Sequence, residues 1–289
     1  VKFGILPPYR TGVTADPEWM VAFARHAEAV GFESLYVVEH VAVPAGYDER
    51  YPYARSGRMP LPVDCNIPDP LELLAFLAGV TERIVLATGI LVAPEHHPLQ
   101  LAKRLATVDV VSAGRMRLGV GVGWMREELE ALGIDFATRG ARTDELIEAL
   151  RVVWTDDEPT FHGRFFSFER AVSRPRPVQA GGVPIHVGGH SRAAARRAGR
   201  MGDGFQPLGL DDEALTDRLA AVRAAAEEAG RDSAAIELSL GGVLGVTDAA
   251  AIAAAEAAGA TRMVISTAQA DLAELTDALS AFGAEFIDG

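Results

Sequence analysis

The sequence contains a single cysteine, Cys65, so no disulfide can form within the chain and a thiolate-rich metal site is excluded. Positive charge is also scarce: 27 basic against 40 acidic side chains leave a formal net charge of −13. That balance argues against nonspecific nucleic-acid binding, because nothing offsets phosphate repulsion over most of the surface. No apolar run approaches the roughly 18–20 residues needed to cross a bilayer, and no basic-then-apolar signal opens the N-terminus. The expectation is a cytoplasmic protein without nucleic-acid or membrane partners. What the sequence does have is a globular composition, 49% hydrophobic and 23% charged, over 289 residues. That length suits one large barrel or at most two smaller domains.

Short apolar runs alternate with helix-compatible segments along the whole chain. Lys2 to Leu6 reads as a buried strand stopped by Pro7-Pro8, and Asp16-Pro17 opens a helix that Gly31 closes. Further strands are expected at Ser34–Val38, Ile84–Thr88, Met116–Val120, Pro184–Val187, Gly204–Gln206, Ile236–Leu240 and Arg262–Ser266. Their cores read as continuously apolar, the mark of parallel strands covered on both faces. An open doubly wound sheet is the rival architecture, but Pro7-Pro8 stands where a Gly-x-Gly-x-x-Gly turn would follow the first strand. The pattern therefore predicts a single-domain (β/α)8 TIM barrel over residues 1–289. Two connections are too long for a plain barrel. Glu39–Asp69 follows strand 2, and the stretch between Val122 and Val183 follows strand 4. The second contains helical segments near Arg126–Leu132 and Ala141–Trp154, then a hairpin signal at Phe161-His162-Gly163-Arg164-Phe165.

Both insertions follow strand ends, which form the active-site face of barrel enzymes. Glu39-His40 after strand 2 suits proton transfer, since imidazole serves as acid or base near neutral pH; the alternative is a loop-capping histidine. Gly89 after strand 3 lets a large group approach the backbone. Gly119, Gly121 and Gly123 strip side chains from one face of strand 4, leaving either a flat slot that ends at Trp124 or relief for a crowded interior. Gly188-Gly189-His190-Ser191 runs straight into a helix starting at Arg192, an anion site by helix dipole and free N–H groups, or ordinary capping. Adjacent His96-His97 are of metal-ligand type. Neighbouring side chains on an extended segment diverge, however, and strand 1 has no His-x-His element, so loop packing and helix entry are expected there, with no metal.

These residues in this order carry a resemblance. Tyr36-Val37-Val38-Glu39-His40, Ala87-Thr88-Gly89-Ile90, Gly119 to Trp124, Ile185 to Ser191 and Gly202-Asp203-Gly204-Phe205 resemble the bacterial luciferase-like oxidoreductases, most closely the coenzyme F420-dependent branch. Arg139 to Glu145 extends the likeness into the second insertion. The resemblance implies an enzyme moving a hydride between the deazaflavin and a small organic substrate, with His40 handling a proton and Glu39 or the ring hydroxyl tuning it. It implies a non-prolyl cis peptide at Gly89-Ile90 behind the ring. It also implies a coenzyme slot lined by Gly121, Gly123 and Trp124, and a phosphate site from Gly188, Gly189, His190, Ser191 and Arg192. A homodimer is expected at family level. Two other activities remain open on the same scaffold: a monooxygenase using FMN, and a barrel that binds coenzyme without turnover. Trp124 stands where sugar-phosphate dehydrogenases of the family carry an acid, which argues against sugar oxidation. With a net negative chain, local cations must attract an anionic coenzyme; the candidates are Arg192, Arg196, Arg50, Arg55 and Arg58. Tyr47, Tyr51, Tyr53, Phe161, Phe165 and Phe166 are expected as apolar walls.

Overall fold

Local signals start most helices of the computed structural model, which describes residues 1–287. Asp16 Oδ1 accepts the N–H groups of Glu18 and Trp19 at 3.0 and 3.1 Å, opening α1 (Pro17–Val30) with proline at its first position. Asp69 opens α2 (Pro70–Ala78) in the same way, and His97 caps α3 (Pro98–Val111). Then come α4 (Arg126–Ala131), α5 (Arg139–Thr155), α6 (Arg192–Met201), α7 (Asp212–Glu228), α8 (Ala249–Ala257) and α9 (Leu272–Phe286). None of these helices is long and apolar enough to cross a membrane.

Eight parallel strands close on themselves: β1 (Lys2–Leu6), β2 (Ser34–Val37), β3 (Val85–Thr88), β4 (Met116–Gly121), β5 (Ile185–Gly188), β6 (Gly204–Gln206), β7 (Glu237–Val243) and β8 (Arg262–Ser266). The ring closes where Leu86 and Ala87 of β3 pair with Met116 and Arg117 of β4. This is the expected (β/α)8 barrel. After β3 the chain breaks at a cis peptide between Gly89 and Ile90, then resumes as a two-residue strand, Leu91–Val92, paired with Val120 and Gly121.

The strands are not continuously apolar, as the sequence suggested; they alternate. Phe3, Ile5, Leu35, Leu86, Leu118, Ile185, Phe205, Met263 and Ile265 face outward into one large core shared with the helices. Inward positions of the lower barrel are small or polar, because it is filled by an ionic network rather than by branched aliphatics. Arg262 is fully buried and gives a two-pronged ion pair to Glu33 (Nε–Oε2 2.7 Å, Nη2–Oε1 2.8 Å), and its Nη1 reaches Glu237 at 3.0 Å and Ser239 at 3.2 Å. Arg117 reaches the same Glu33 carboxylate at 2.8 Å. Burial works against the Glu33 charge, but the two guanidiniums outweigh it and hold the carboxyl far below its usual range. His186, buried beside Arg117 and Arg262, is pushed well toward the neutral form, first by burial. Above this floor, Tyr36, Ala87 and Val264 form a small apolar layer with Leu6.

The two long connections rise from the C-terminal ends of β2 and β4. Residues 38–69 contain neither helix nor strand. Between β4 and β5 lie α4, α5 and an antiparallel hairpin, Phe161–His162 with Ser167–Phe168. The hairpin turn is anchored by Glu145, whose carboxylate accepts the N–H groups of Arg164, Phe165 and Phe166.

Candidate active site

The strand ends converge on His40. Its Nδ1 is hydrogen-bonded to Glu128 Oε2 at 2.8 Å, and the other carboxylate oxygen accepts the Ala42 N–H at 3.1 Å. Glu128 sits in the first turn of α4 with its side chain 2% exposed, while His40 is 13% exposed. A buried carboxylate on Nδ1 fixes that nitrogen as the proton donor and leaves Nε2, which has no partner within the described residues, to hold or accept a proton.

Glu39 does not share this pair. Consecutive residues of an extended segment point to opposite sides, so Glu39 turns away from His40. It accepts the Val92 N–H at 2.5 Å and bonds His96 Nε2 at 3.0 Å. Its place is behind the break at Gly89-Ile90, tying the end of β2 to the strand that follows. His97 diverges from His96 as anticipated: it caps α3 through the Leu99 N–H and meets Phe166 edge-on.

Glu95, at the end of the 3-10 turn Ala93–Glu95, buries both carboxyl oxygens without a hydrogen-bond partner. Burial, followed by repulsion from Glu128 and Glu39, raises its pKa to about 9, so it carries a proton at neutral pH. Nothing in the sequence marked Glu95 or Glu128. An acid in the first turn of a helix reads as a favourable dipole partner, and only burial distinguishes Glu128 from that role.

The expected slot beside β4 is not empty. A β-carbon at Gly121 would lie 2.6 Å from Ile90 Cδ1, and one at Gly188 would lie 2.7 Å from Ile90 Cγ2. Gly123, with φ +73°, faces Val92 Cγ1. These glycines make room for Ile90 and Val92, the crowded-interior alternative. Ile90 is thereby presented at the barrel mouth as a half-buried apolar platform. Open room lies instead at Gly241 on β7, where an added β-carbon would meet only Leu208 Cδ1, at 3.9 Å.

Trp124 anchors an aromatic rim. Tyr47 and Tyr51 approach its ring edge-on at 5.6 and 5.1 Å, His40 lies at 6.4 Å, and Tyr51 continues to Tyr53 at 5.4 Å. Tyr53 reaches across the mouth to His190, Oη to Nδ1 at 3.3 Å. Burial, reinforced by Tyr9 and Tyr53, pushes the Tyr51 hydroxyl up to about 12. The phenylalanines expected beside these tyrosines belong elsewhere: Phe166 is buried in the main core, Phe161 and Phe165 pack against it, and Arg142 lies over the Phe166 ring.

At the end of β5, Gly189 adopts φ +122° and Ser191 caps α6 through the Ala194 N–H at 3.1 Å. Gln206 Oε1 is buried close by without a partner. Arg192 is held by Asp217, Nε to Oδ2 at 2.9 Å, rather than left for an anion. Arg50 and Arg58 are likewise paired, with Asp48 at 2.7 Å and Glu49 at 3.0 Å. Three of the five cations expected from sequence are therefore engaged by neighbouring carboxylates, while Arg55 and Arg196 are exposed with no ion pair among the described residues.

A closed parallel barrel with a carboxylate–histidine pair and an aromatic rim at its strand ends defines an enzyme-type (β/α)8 protein. Residues 1–285 match the family model described as luciferase-like monooxygenase, and the chain belongs to that family. It is 35% identical over 218 residues to an uncharacterized protein of Mycobacterium tuberculosis, covering 75% of each chain. It is 30% identical over 222 residues to the F420-dependent glucose-6-phosphate dehydrogenase of Microbacterium testaceum, covering 73% of this chain and 60% of that one. The FMNH2-dependent dimethylsulfone monooxygenase of Pseudomonas putida is also 30% identical, over 218 residues, 74% of this chain and 55% of that one. In fold, the chain superposes on a monooxygenase from Streptomyces bottropensis with a TM-score of 0.79 at 23% identity, covering 100% of this chain and 99% of that one. An F420-dependent secondary alcohol dehydrogenase gives 0.78 at 19%, covering 98% and 97%.

Proposed function

We propose that this protein is an oxidoreductase that moves a hydride between coenzyme F420 and a small organic substrate. The observation that carries the reading is the His40–Glu128 pair at the barrel mouth, with Nε2 free for proton transfer.

The residues present fit a tricyclic phosphate-bearing coenzyme. Ile90, held up between Gly121 and Gly188, offers a flat apolar support for a ring. The unpartnered Gln206 Oε1 offers a buried acceptor. The turn Gly188-Gly189-His190-Ser191 and the first N–H groups of α6 would receive a phosphate. When bound, the deazaflavin supplies the carbon that gives or takes the hydride. The chain does the rest. His40 Nε2 takes the proton from a substrate hydroxyl or returns it to a carbonyl oxygen, according to direction. Glu128 keeps the imidazole in one tautomer and orientation and stabilises its charged form. Trp124, Tyr51 and Tyr53 screen that proton from bulk water.

A second reading, an FMN-dependent monooxygenase, is favoured by the equal identity to the dimethylsulfone monooxygenase. Titration of the purified protein with each cofactor, followed by ring absorbance and fluorescence, separates the two. We expect F420 to bind at least tenfold tighter than FMN. Equal affinities, or oxygen uptake with reduced FMN that depends on the protein, would favour the monooxygenase.

A further inference from the structure

We propose that the substrate of this site is an uncharged, predominantly apolar molecule, received on the β6–β7 side of the barrel mouth by Leu208 and Val243. This rests on the mouth being the active site, as argued above, but not on which coenzyme occupies it.

Alternation along the strands places these side chains. Ser239 points into the barrel, where its Oγ accepts from Arg262, so Gly241 and Val243 face inward above it. Gly204 faces His186 inside the barrel, with an added β-carbon only 2.5 Å from its Nδ1, so Gln206 and then Leu208 follow inward. Leu208 beside Gly241 confirms that direction. Leu208 and Val243 are nonetheless 49% and 48% exposed. Apolar side chains that face inward and still meet solvent line the open C-terminal end of the barrel, where small-molecule sites on this fold are built.

The recess is continuous with the reactive histidine. Gly209, next to Leu208, abuts Tyr53, with an added β-carbon at 3.2 Å from its ring. Tyr53 leads through Tyr51 and Trp124 to His40. Across the mouth, Glu128 is buried against His40, and Glu95 buries both carboxyl oxygens without a hydrogen-bond partner. The guanidiniums of Arg50, Arg58 and Arg192 are each paired to a carboxylate. An anionic substrate would thus exchange water for hydrocarbon at Leu208 and Val243 and meet the buried Glu128 carboxylate beside His40.

The probes are 1-butanol, 1-hexanol, 1-octanol, octanoate and glucose 6-phosphate, titrated calorimetrically into the F420-loaded protein, the FMN-loaded protein and the protein without coenzyme. We expect affinity to rise about fourfold per added methylene along the alkanols. Octanoate should bind at least tenfold more weakly than 1-octanol, and glucose 6-phosphate not detectably. Leu208→Ser and Val243→Ser, at solvent-exposed positions, should flatten the chain-length dependence. Affinity independent of chain length, or octanoate or glucose 6-phosphate binding as tightly as 1-octanol, would overturn the proposal. If F420 fails to bind while the alkanol series persists with FMN or without coenzyme, the coenzyme reading fails and the substrate class stands.

Discussion

Ile90 occupies the volume that a side chain on Gly121 would need: a β-carbon there would approach Ile90 Cδ1 to 2.6 Å and Cγ1 to 3.0 Å. The two residues are complementary parts of one device, a bare strand edge and the branched side chain it accommodates. Gly121→Ala should therefore push Ile90 out of place, destabilising the protein by about 1–3 kcal/mol through overpacking and weakening coenzyme binding. Ile90→Ala in the same chain should restore stability, because it removes the clashing atoms. Denaturant midpoints for the two single variants and the double variant test this coupling. Additive single effects would mean that the contact is unimportant.

Glu128 is expected to act through His40. His40→Ala should lower turnover by about 10²–10⁴-fold, with coenzyme affinity nearly intact. Glu128→Gln preserves shape but removes the charge, and should lower turnover on the order of 10²-fold while the Michaelis constant changes little. In the double variant, loss of Glu128 should add almost nothing, since its only route to the substrate has gone. Steady-state kinetics on the three variants checks this, and multiplicative losses would place Glu128 in a separate role.

Glu95 makes stability depend on pH with a definite sign. Its folded pKa, about 9, lies above the ordinary 4.5, so the folded protein retains a proton that the unfolded chain releases between those values. Stability from this group is full below about 4.5 and declines as pH rises toward 9. Glu95→Gln should remove the decline, leaving the melting temperature unchanged near pH 4 and raising it near pH 8. The neighbouring Glu39, Glu128, His40 and His96 are common to both proteins, so the difference between the two melting profiles isolates Glu95.

The barrel floor should respond in the opposite direction. Glu33 is held ionised by Arg262 and Arg117, well below its usual range, so its contribution is present above about pH 4.5 and is lost as pH falls. Glu33→Gln leaves the fully buried Arg262 without its two-pronged partner and should cost about 3–5 kcal/mol at pH 7, read by chemical denaturation. Proton transfer at His40 should be unaffected in whatever fraction remains folded, since the network lies at the other end of the barrel.

The order of strands and helices was legible in the chain because the signals that set it are local. Asp16-Pro17, Asp69-Pro70 and His97-Pro98 start helices from within a few residues, and the apolar runs between them have no alternative to becoming strands. His40, Gly89-Ile90 and Trp124 were legible for a related reason: in a barrel, whatever follows a strand lies at the mouth. The partners of those residues were not legible. Glu128 meets His40 from 88 positions away, and Glu39, adjacent in sequence, is turned aside by the alternation of extended backbone. The slot expected at Gly119 to Gly123 is filled by the Thr88 carbonyl, Ile90 and Val92, whose placement depends on how the chain bulges after β3 before resuming parallel to β4. Local sequence determined which residues reach the barrel mouth; closure of the ring decided which of them touch, because contacts between distant strand ends exist only once all eight strands are paired.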